Sequence, residues 1–439
     1  MRIGVFFGGR SCEHDISIIT GVMTVNAAKA AGHKVTPVYI DGAGQWYTGR
    51  GFDSVAVFLE KGYKKKKIHL CPADRGVYTK RGRRLATLDA VINCCHGRGG
   101  EDGCLAGLLE LSGVPCANGG VLAGAVGMDK TVQKRLFEHE ELNVTPFIGI
   151  NKHELEDGFF DAVAAVKEKL TFPLMVKPAR GGSSIGIGRA HDFKEFFLRL
   201  DEAFMWDDKV IVENALTDFI EVNCAVLGSG YNVVVSEVEQ PVSSGFLSFE
   251  NKYGGVGSGE WKLGSGEWGV GSGEWGVESG ELRLELEKVK NTQSNLTTTP
   301  NSKLQTPNST LTPHSPLPTP HSCSKGDTGR YLPARISPEM SRDVRAAAKK
   351  AFELIGCAGV ARVDFLIKDG ELFINEINTV PGSLSSYLFA FDGMGFPLLV
   401  DKLLEIAVRE YEKKQKLTFA YDSGVLRAHC RGERGVKKG

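Results

Sequence analysis

Residues 359–387 constrain the fold of this 439-residue chain more than any other segment. Two apolar runs flank the turn signal Lys368-Asp369-Gly370, a pattern that predicts a β-hairpin. Side chains two residues apart lie on one face of a strand. A two-residue loop would therefore place Asp364 and Glu376 on opposite faces, whereas a three-residue loop would place them together. We predict the three-residue loop, with its glycine in a left-handed conformation.

The predicted loop would collect polar side chains on one face of the hairpin. Asp364, Glu376 and Asn378 carry hard oxygen ligands that suit Mg²⁺, with Arg362 beside them. The other face would be core, formed by Val363, Phe365, Ile367, Phe373 and Ile377. An alternative is that the charges line a solvated sheet face. The apolar composition of the segment and the Pro-Gly turn that follows at once favour a functional site.

Length and charge limit the class of protein. A chain of 439 residues is too long for one core, so two or three domains are expected. Lys plus Arg and Asp plus Glu both number 53, so net charge attracts neither nucleic acid nor membrane. The first residues, MRIGVFFGG, predict a buried strand instead of a signal peptide, and no apolar run reaches the length of a membrane span. We expect a soluble, cytoplasmic protein with no nucleic-acid or membrane partner.

Strands alternate with helices in the N-terminal part. Strand 3–7 leads through a glycine turn into helix 16–31, and strand 90–94 ends in the polar loop 96–103 before helix 105–111. A further strand is predicted at 35–40. This alternation predicts an open parallel α/β sheet whose ligand-binding loops lie at the strand ends. A dinucleotide oxidoreductase is excluded because the chain lacks GxGxxG followed by an acid about twenty residues later.

A phosphate-type pattern follows at 172–187. Lys177 lies in a β-run ahead of a glycine-serine loop, which offers backbone and hydroxyl donors beside a point charge. It is not a Walker loop, since no GKS/T closes it, and a plain Gly-rich hairpin turn is the alternative. Two further predicted strands, 210–213 and 219–227, carry Glu213 and Glu221.

The composition changes at 254–329. Gly-Ser-Gly-Glu recurs there at a spacing of seven residues, and a Thr/Ser/Pro/Asn tract follows. We interpret this stretch as an inserted low-complexity linker, with a tryptophan docking motif as the alternative. The predicted ranges are an N-terminal α/β domain at 1–120, two further subdomains at 121–209 and at 210–253 with 330–412, the insert at 254–329 and a basic tail at 413–439.

Eight ordered motifs resemble the D-alanine–D-alanine ligase family of the ATP-grasp superfamily. They are GGRSCEHDIS, HGRGGEDG, MDK at 128–130, VKPARGGSSIGI, the acidic strand after it, Lys252-Tyr253, ARVDF and NEINTVPG. The resemblance covers nearly all of 1–410 except the insert. It implies a fold of α/β and α+β type: an ATP-grasp fold with an N-terminal open parallel α/β domain and a long low-complexity insertion in the lid loop.

The resemblance also implies a nucleotide site. Two lysines would hold the ATP phosphates under the 181–186 loop, while Glu213 would contact adenine and Glu221 the ribose. The implied nucleotide-binding residues are Lys130, Lys177, Gly182, Ser183, Ser184, Glu213, Leu216, Glu221 and Asn375. Asp364, Glu376 and Asn378 would be ligands of two Mg²⁺ ions, with Mn²⁺ as an alternative.

For the substrates, the resemblance implies that Glu13 binds the ammonium of the first D-alanine and that His96 lies near its carboxylate. Tyr253 would join Ser183 and Glu13 around the reacting amine. Arg362 and the backbone N–H of Gly382 would form the oxyanion hole. The second carboxylate would be held by a serine, and the sequence leaves Ser385 and Ser386 as alternatives.

The implied activity is the ATP-dependent ligation of two D-alanine molecules through an acylphosphate, for peptidoglycan precursors, by a homodimer. A D-alanine–D-serine ligase and a D-alanine–D-lactate ligase are alternatives within the enzyme class. Tyr253 favours an amine acceptor, since lactate-type relatives tend to carry histidine there. A nucleotide-binding protein that has lost turnover is the alternative from another class, but every charged residue that the two steps need is present.

Overall fold

A computed structural model describes residues 1–59, 65–72, 74–242, 329–427 and 429–430. Tyr253 and the predicted insert up to residue 328 lie outside the described residues, as does the tail from 431. The described chain forms an eight-stranded sheet, two four-stranded sheets and a two-stranded ribbon.

The eight-stranded sheet occupies the N-terminal part of the chain, in the order β6-β5-β4-β3-β2-β1-β7-β8. Its strands are β1 (Arg2–Gly8), β2 (Lys34–Ile40), β3 (Trp46–Gly49), β4 (Lys65–Cys71), β5 (Gly76–Thr79), β6 (Arg84–Thr87), β7 (Ala90–Asn93) and β8 (Cys116–Ala117). The helices of this part are α1 (His14–Ala30), α2 (Ala56–Leu59) and α3 (Cys104–Leu111).

Only part of this sheet is parallel, which corrects the predicted open parallel sheet. Strand β1 pairs in parallel with β2 and β7, and β7 with β8, so the three predicted strands form a parallel core. Strands β2 to β6 continue the sheet by antiparallel pairing. These added strands are short or rich in lysine and arginine, so they lack the apolar runs from which buried strands are predicted.

The second sheet is antiparallel and has the order β11-β10-β12-β9. Its elements, with the two helices before it, are α4 (Val121–Met128), α5 (Lys130–His139), β9 (Phe147–Asn151), α6 (Lys152–Asp157), α7 (Phe159–Lys169), β10 (Leu174–Pro178), β11 (Gly188–Ala190), α8 (Phe193–Phe204) and β12 (Lys209–Asn214). The predicted boundary after residue 209 falls inside β12. We therefore propose that this boundary lies in the connection 215–219.

The third sheet has the order β14-β13-β17-β18, and the ribbon pairs β15 with β16. The elements are β13 (Ile220–Ser229), β14 (Asn232–Val235), β15 (Gln240–Pro241), β16 (Arg330–Tyr331), α9 (Pro338–Leu354), β17 (Ala358–Lys368), β18 (Glu371–Asn378), a 3₁₀ turn (Gly382–Ser385), α10 (Ser386–Phe391) and α11 (Phe396–Gln415).

The predicted three-residue hairpin loop is wrong. Lys368 pairs with Glu371, so the loop has two residues, Asp369 and Gly370, both with positive φ (52° and 83°). That is the geometry of a type I′ turn, which Asp-Gly favours. The left-handed conformation predicted for Gly370 is confirmed.

A β-bulge nevertheless brings the acids to one face. Phe365 pairs with Ile374, but the next residue, Asp364, pairs with Glu376, so Asn375 is the extra residue. The bulge shifts the alternation by one residue and restores the predicted face. It also puts Ile374 in the core in place of Phe373, which was predicted there.

One apolar cluster joins the first and third sheets. It contains Ile3 of β1, Val25 of α1, Leu227 of β13, Val360 of β17 and Leu403 of α11, all buried. A shared core fixes these two sheets against each other, so loops at their facing edges keep their positions.

Among the described residues, no single helix combines the length and apolar composition needed to cross a membrane. One pair of helical segments, Gly382–Phe391 and Phe396–Gln415, bent by 114°, meets that criterion by length and composition alone.

Candidate active site

The bulged hairpin presents four polar side chains on one face. Arg362 lies opposite Asn378, and Asp364 lies opposite Glu376. Arg362 donates two hydrogen bonds to Asp364, from Nε to Oδ1 at 2.6 Å and from Nη2 to Oδ2 at 2.7 Å. Asn378 Nδ2 donates to the same Oδ2 at 3.3 Å. Burial would lower the pKa of Arg362, but the Asp364 carboxylate raises it well above its usual value. The guanidinium is therefore a fixed positive charge.

Lys130 links this face to the glycine loop of the second sheet. It is the first residue of α5, whose N-terminus is capped by the side chain of Asp129. Its amine donates to the backbone oxygen of Gly181 and lies 3.3 Å from Oε2 of Glu376. The buried amine is thus held between the loop and the hairpin, where a phosphate group would meet both.

Lys177 occupies the middle of the same region, on β10. Its amine pairs with Oε1 of Glu213 and lies 3.5 Å from Oδ1 of Asn375, the bulge residue. The other Glu213 oxygen, Oε2, accepts from Lys134 and from the Thr145 hydroxyl. Burial would raise the pKa of Glu213, but Lys134 and Lys177 together lower it to about 2.

Sequence analysis did not single out Lys134. It lies four residues after Lys130, so both lysines occupy one face of α5. That spacing was the feature of the sequence that could have drawn attention to Lys134. It could not show that Lys134 pairs with Glu213, because Glu213 is 79 residues further along the chain.

Glu13 brings the N-terminal part of the chain to the glycine loop. It is the residue before α1 and is buried. Its Oε1 accepts a hydrogen bond of 2.5 Å from the Ser183 hydroxyl. A Cβ on Gly182 would lie 2.5 Å from either carboxylate oxygen, so this approach requires glycine.

The loop itself has an unusual backbone. Ser183 and Ser184 both have positive φ, 52° and 59°, as does Gly186 at 70°. Non-glycine residues adopt the left-handed region at a cost, and such residues cluster at ligand sites. Successive N–H groups in such a turn form an anion-binding concavity. The structure thus gives the predicted 181–186 loop a geometry that suits phosphate.

His96 lies at the end of the parallel core, where its Nε2 is 2.9 Å from the Thr20 hydroxyl oxygen of α1. Burial and the nearby Arg362 charge lower its pKa to about 4, against a backbone hydrogen bond with Val380. The imidazole is therefore neutral at physiological pH. Thr20 Oγ1 also accepts from the backbone N–H of Ser383 at 3.1 Å, so α1 contacts both His96 and the turn after the hairpin.

That turn is strained. Ser383, Leu384 and Ser385 all have φ near +50°, a run of left-handed residues that follows Gly382. L-residues occupy this region as single residues, seldom in a run. Ser385 is fully buried and its hydroxyl has no hydrogen-bond partner among the residues that the structure describes, whereas Ser386 begins α10. Of the two serines, Ser385 has the unsatisfied group that a substrate would satisfy.

Glu101 is a second residue that sequence analysis missed. Its Oε1 accepts from the Val380 N–H at 3.1 Å and its Oε2 from the Gly97 N–H at 3.2 Å. Burial and the Glu13 charge raise its pKa to about 7. Its place in the motif HGRGGEDG was the available signal. Its partner at Val380 depends on how the first and third sheets pack.

The predicted adenosine contacts lie near the connection between the second and third sheets. Leu216 is in the connection 215–219, and its carbonyl is 3.4 Å from Nη2 of Arg189. Glu221 is partly buried near the start of β13. Leu216 and Glu221 thus follow β12, the strand that carries Glu213, within a few residues along the chain.

The hairpin face offers oxygen ligands for a magnesium ion. No group of three His, Cys, Asp or Glu side chains in the described ranges is placed to hold a metal ion. The set here contains two carboxylates and an amide, Asp364, Glu376 and Asn378. Mg²⁺ usually takes one or two carboxylates plus substrate phosphates instead of a full protein cage, so these residues fit an ion that arrives with ATP.

Fold and site together define an ATP-dependent ligase of ATP-grasp architecture that joins a carboxylate to an amine. The model described as D-ala D-ala ligase N-terminus matches residues 2–119, and D-ala D-ala ligase C-terminus matches 136–263 and 322–405. The chain belongs to the D-alanine–D-alanine ligase family. The gap in the second match, 264–321, lies within the predicted insert.

Individual relatives agree with this assignment. The D-alanine–D-alanine ligase of Chloroherpeton thalassium is 30% identical, over 94% of this chain and 98% of the relative. D-alanine–D-alanine ligase A of Escherichia coli is 29% identical, over 94% and 96%. Among solved structures, the VanG D-Ala:D-Ser ligase of Enterococcus faecalis is 25% identical with a TM-score of 0.68, over 92% of this chain and 99% of that one. The ligase of Coxiella burnetii, 23% identical over 95% and 97%, has a TM-score of 0.66 and supports the fold.

Proposed function

We propose that this protein joins two D-alanine molecules to D-alanyl-D-alanine at the expense of ATP, for peptidoglycan precursors. One observation carries the proposal: the Glu13 carboxylate, which suits an ammonium group, contacts the same glycine loop whose Gly181 carbonyl holds Lys130. An amino acid bound at Glu13 would therefore lie beside a phosphate bound at the loop. ATP supply places the reaction in the cytoplasm.

In the first step, the carboxylate of the first D-alanine attacks the γ-phosphate, which gives an acylphosphate and ADP. Glu13 binds the ammonium of this D-alanine, and the neutral His96 lies near its carboxylate. Lys130 and Lys177 hold the phosphates with the loop residues Gly182, Ser183 and Ser184. Asp364, Glu376 and Asn378 would hold Mg²⁺, which offsets charge on the transferring phosphoryl group.

In the second step, the free amine of the second D-alanine attacks the acyl carbon. Arg362 and the N–H of Gly382 stabilise the oxyanion of the tetrahedral intermediate. The amine loses a proton and inorganic phosphate leaves. Tyr253, with Ser183 and Glu13, completes the hydrogen-bonded set around the amine.

Adenosine lies against the second sheet in this proposal. Glu213 contacts adenine, Leu216 lies beside the ring in the connection, and Glu221 contacts the ribose. Asn375 faces the phosphates next to Lys177, its neighbour at 3.5 Å. We further propose two Mg²⁺ ions, replaceable by Mn²⁺, and a homodimer. Magnesium titration of activity and light scattering of the protein test these two points.

D-serine is the second candidate acceptor, because the buried Ser385 hydroxyl has no hydrogen-bond partner in the described part of the chain and an added substrate hydroxyl would satisfy it. The VanG ligase, a D-Ala:D-Ser ligase by name, has the same fold. Ser385→Ala separates the two acceptors. If the hydroxyl holds a carboxylate, both acceptors lose rate; if it holds the D-serine hydroxyl, only D-serine does.

The test of the proposed function is phosphate release from ATP and Mg²⁺, with products identified by mass. The amino acids are D-alanine, L-alanine, and D-alanine with D-serine or D-lactate. D-alanyl-D-alanine formed from D-alanine, with no reaction of L-alanine, is the expected result. If the enzyme preferentially joins D-alanine to D-serine or D-lactate, the acceptor assignment would change from D-alanine to that compound. ATP binding without turnover would contradict the proposed activity.

A further inference from the structure

Lys134 is one of the buried charged residues that the proposed chemistry leaves unused. Its side chain is 2% exposed, and its amine donates to Oε2 of Glu213 and, at 2.9 Å, to the Thr145 hydroxyl. It lies on α5, whereas Glu213 lies on β12. Burying this ion pair costs desolvation free energy, so stability alone is a weak reason for its presence.

Two lysines share one carboxylate. Oε1 of Glu213 pairs with Lys177 and Oε2 with Lys134, so two positive charges lie around one negative charge. Burial lowers the pKa of Lys134, although the charge of Glu213 acts to raise it. Burial would raise the pKa of Glu213, but the two lysines lower it to about 2. The carboxylate is therefore ionised at physiological pH and needs a cation beside it.

The two lysines differ in freedom. Lys134 has two good acceptors, Glu213 and Thr145, and almost no exposed area. Lys177 has Glu213 and a contact of 3.5 Å to Asn375 on the hairpin face, and its side chain is 9% exposed. Lys177 is thus the lysine that can turn towards a phosphate, while Lys134 is held.

We infer that Lys134 is a positioning residue that serves as the permanent counter-ion of Glu213 and so releases Lys177 to the phosphates of ATP. The inference rests on the proposed function in one point, that Lys177 binds phosphate. Without Lys134, Lys177 would be the only cation beside Glu213 among the described residues. Its transfer to ATP would then leave a buried carboxylate unpaired.

The test compares ATP affinity, measured by calorimetry with Mg²⁺ and without D-alanine, in four variants. They are Lys134→Met, Glu213→Gln, the double variant, and the control Lys209→Met. Lys209 pairs with Asp129 at 2.9 Å and so also links β12 to the start of α5, but it does not touch Glu213. The control therefore reports the loss of a comparable ion pair alone.

We expect Lys134→Met to weaken ATP binding roughly 10- to 100-fold and Lys209→Met less than about threefold. Glu213→Gln removes the charge that holds Lys177, so the double variant should bind ATP within about threefold of Glu213→Gln alone. A purely structural lysine would lower the melting temperature when replaced but would leave the ATP affinity of the folded protein unchanged. Melting temperatures of all variants accompany the affinities.

Two results overturn the inference. One is ATP affinity of Lys134→Met within about threefold of wild type, and the other is a double variant that binds ATP about tenfold or more weakly than Glu213→Gln alone. If Lys134→Met does not fold, the double variant against Glu213→Gln decides, since neither has an unpaired carboxylate. Failure of D-alanine to support phosphate release would contradict the proposed function instead and leaves this comparison of ATP affinities valid.

Discussion

The Ser183 hydroxyl donates a 2.5 Å hydrogen bond to Oε1 of Glu13, and through this contact the glycine loop of the second sheet meets the first helix of the N-terminal sheet. The backbone of Gly182 reaches the same carboxylate. The contact brings the phosphate-type loop to the carboxylate that would bind the first amino acid. Interference with this approach should therefore impair the reaction more than the fold.

Gly182→Ala should lower D-alanine-dependent phosphate release at least about 100-fold, because the new Cβ would lie 2.5 Å from the Glu13 oxygens and must displace them. Steady-state kinetics with varied D-alanine measures the effect. Gly181→Ala is the matched control. There the nearest atom to the new Cβ is Cβ of Pro178 at 3.4 Å, an ordinary contact. Equal losses in both variants would contradict the prediction.

Asp364→Asn should raise the Mg²⁺ concentration needed for half-maximal activity about tenfold or more. The substitution removes one of the two carboxylates offered to the ion and weakens the hydrogen bonds that Arg362 donates to this residue. Phosphate release titrated with Mg²⁺ measures this. Asp369→Asn, on the exposed turn of the same hairpin, is the control and should leave the titration unchanged. An unshifted Mg²⁺ titration in Asp364→Asn would remove this residue from the metal site.

Glu101 should make stability depend on pH. Its pKa rises from the usual 4.5 to about 7, chiefly by burial. Between these values the folded protein keeps a proton that the unfolded chain has lost. The contribution of Glu101 to stability is thus complete below pH 4.5 and is lost as the pH rises through 7. The full shift corresponds to about 3 kcal/mol.

Glu101→Gln mimics the protonated carboxyl, so it should gain about 3 kcal/mol relative to wild type between pH 4 and pH 8. Urea unfolding at several pH values measures the difference. His96, whose lowered pKa of about 4 acts with the opposite sign, cancels because both proteins contain it. The exposed Glu168→Gln serves as the control. A difference independent of pH would show that the pKa of Glu101 is the same in the folded and the unfolded protein.

Deletion of residues 257–322 should leave D-alanine-dependent phosphate release within about threefold of wild type, since the cost of loop closure changes only with the logarithm of length. Strands β15 and β16 pair, so Pro241 and Arg330, which lie before and after this stretch in the chain, are side by side. The C-terminal family match likewise omits 264–321. A longer deletion that also removes Lys252 and Tyr253 should abolish activity. Loss of activity in the shorter deletion would contradict the linker interpretation.

The hairpin shows how far local pattern reached. The sequence predicted its position, its Asp-Gly turn and the common face of Asp364 and Glu376. It explained that common face, however, by a three-residue loop. Ile374 and Ile377 are three residues apart, and a regular strand cannot bury both on one side. The structure buries both, and the bulge at Asn375 is the result. The need to bury both isoleucines arises from the packing of the core, which a prediction made strand by strand does not include.

By itself, the sequence determined the chemistry of the site: which residues carry charge, which glycines permit close approach, and which apolar segments become the central strands and helices. Short-range periodicity and turn preference suffice for these. The tertiary structure alone decided the partners. Glu213 meets Lys134 across 79 residues, and Val380 meets Glu101 across 279. Such pairs depend on how separate sheets pack, because the free energy of a buried charge is set by its whole surroundings and not by its neighbours in the chain.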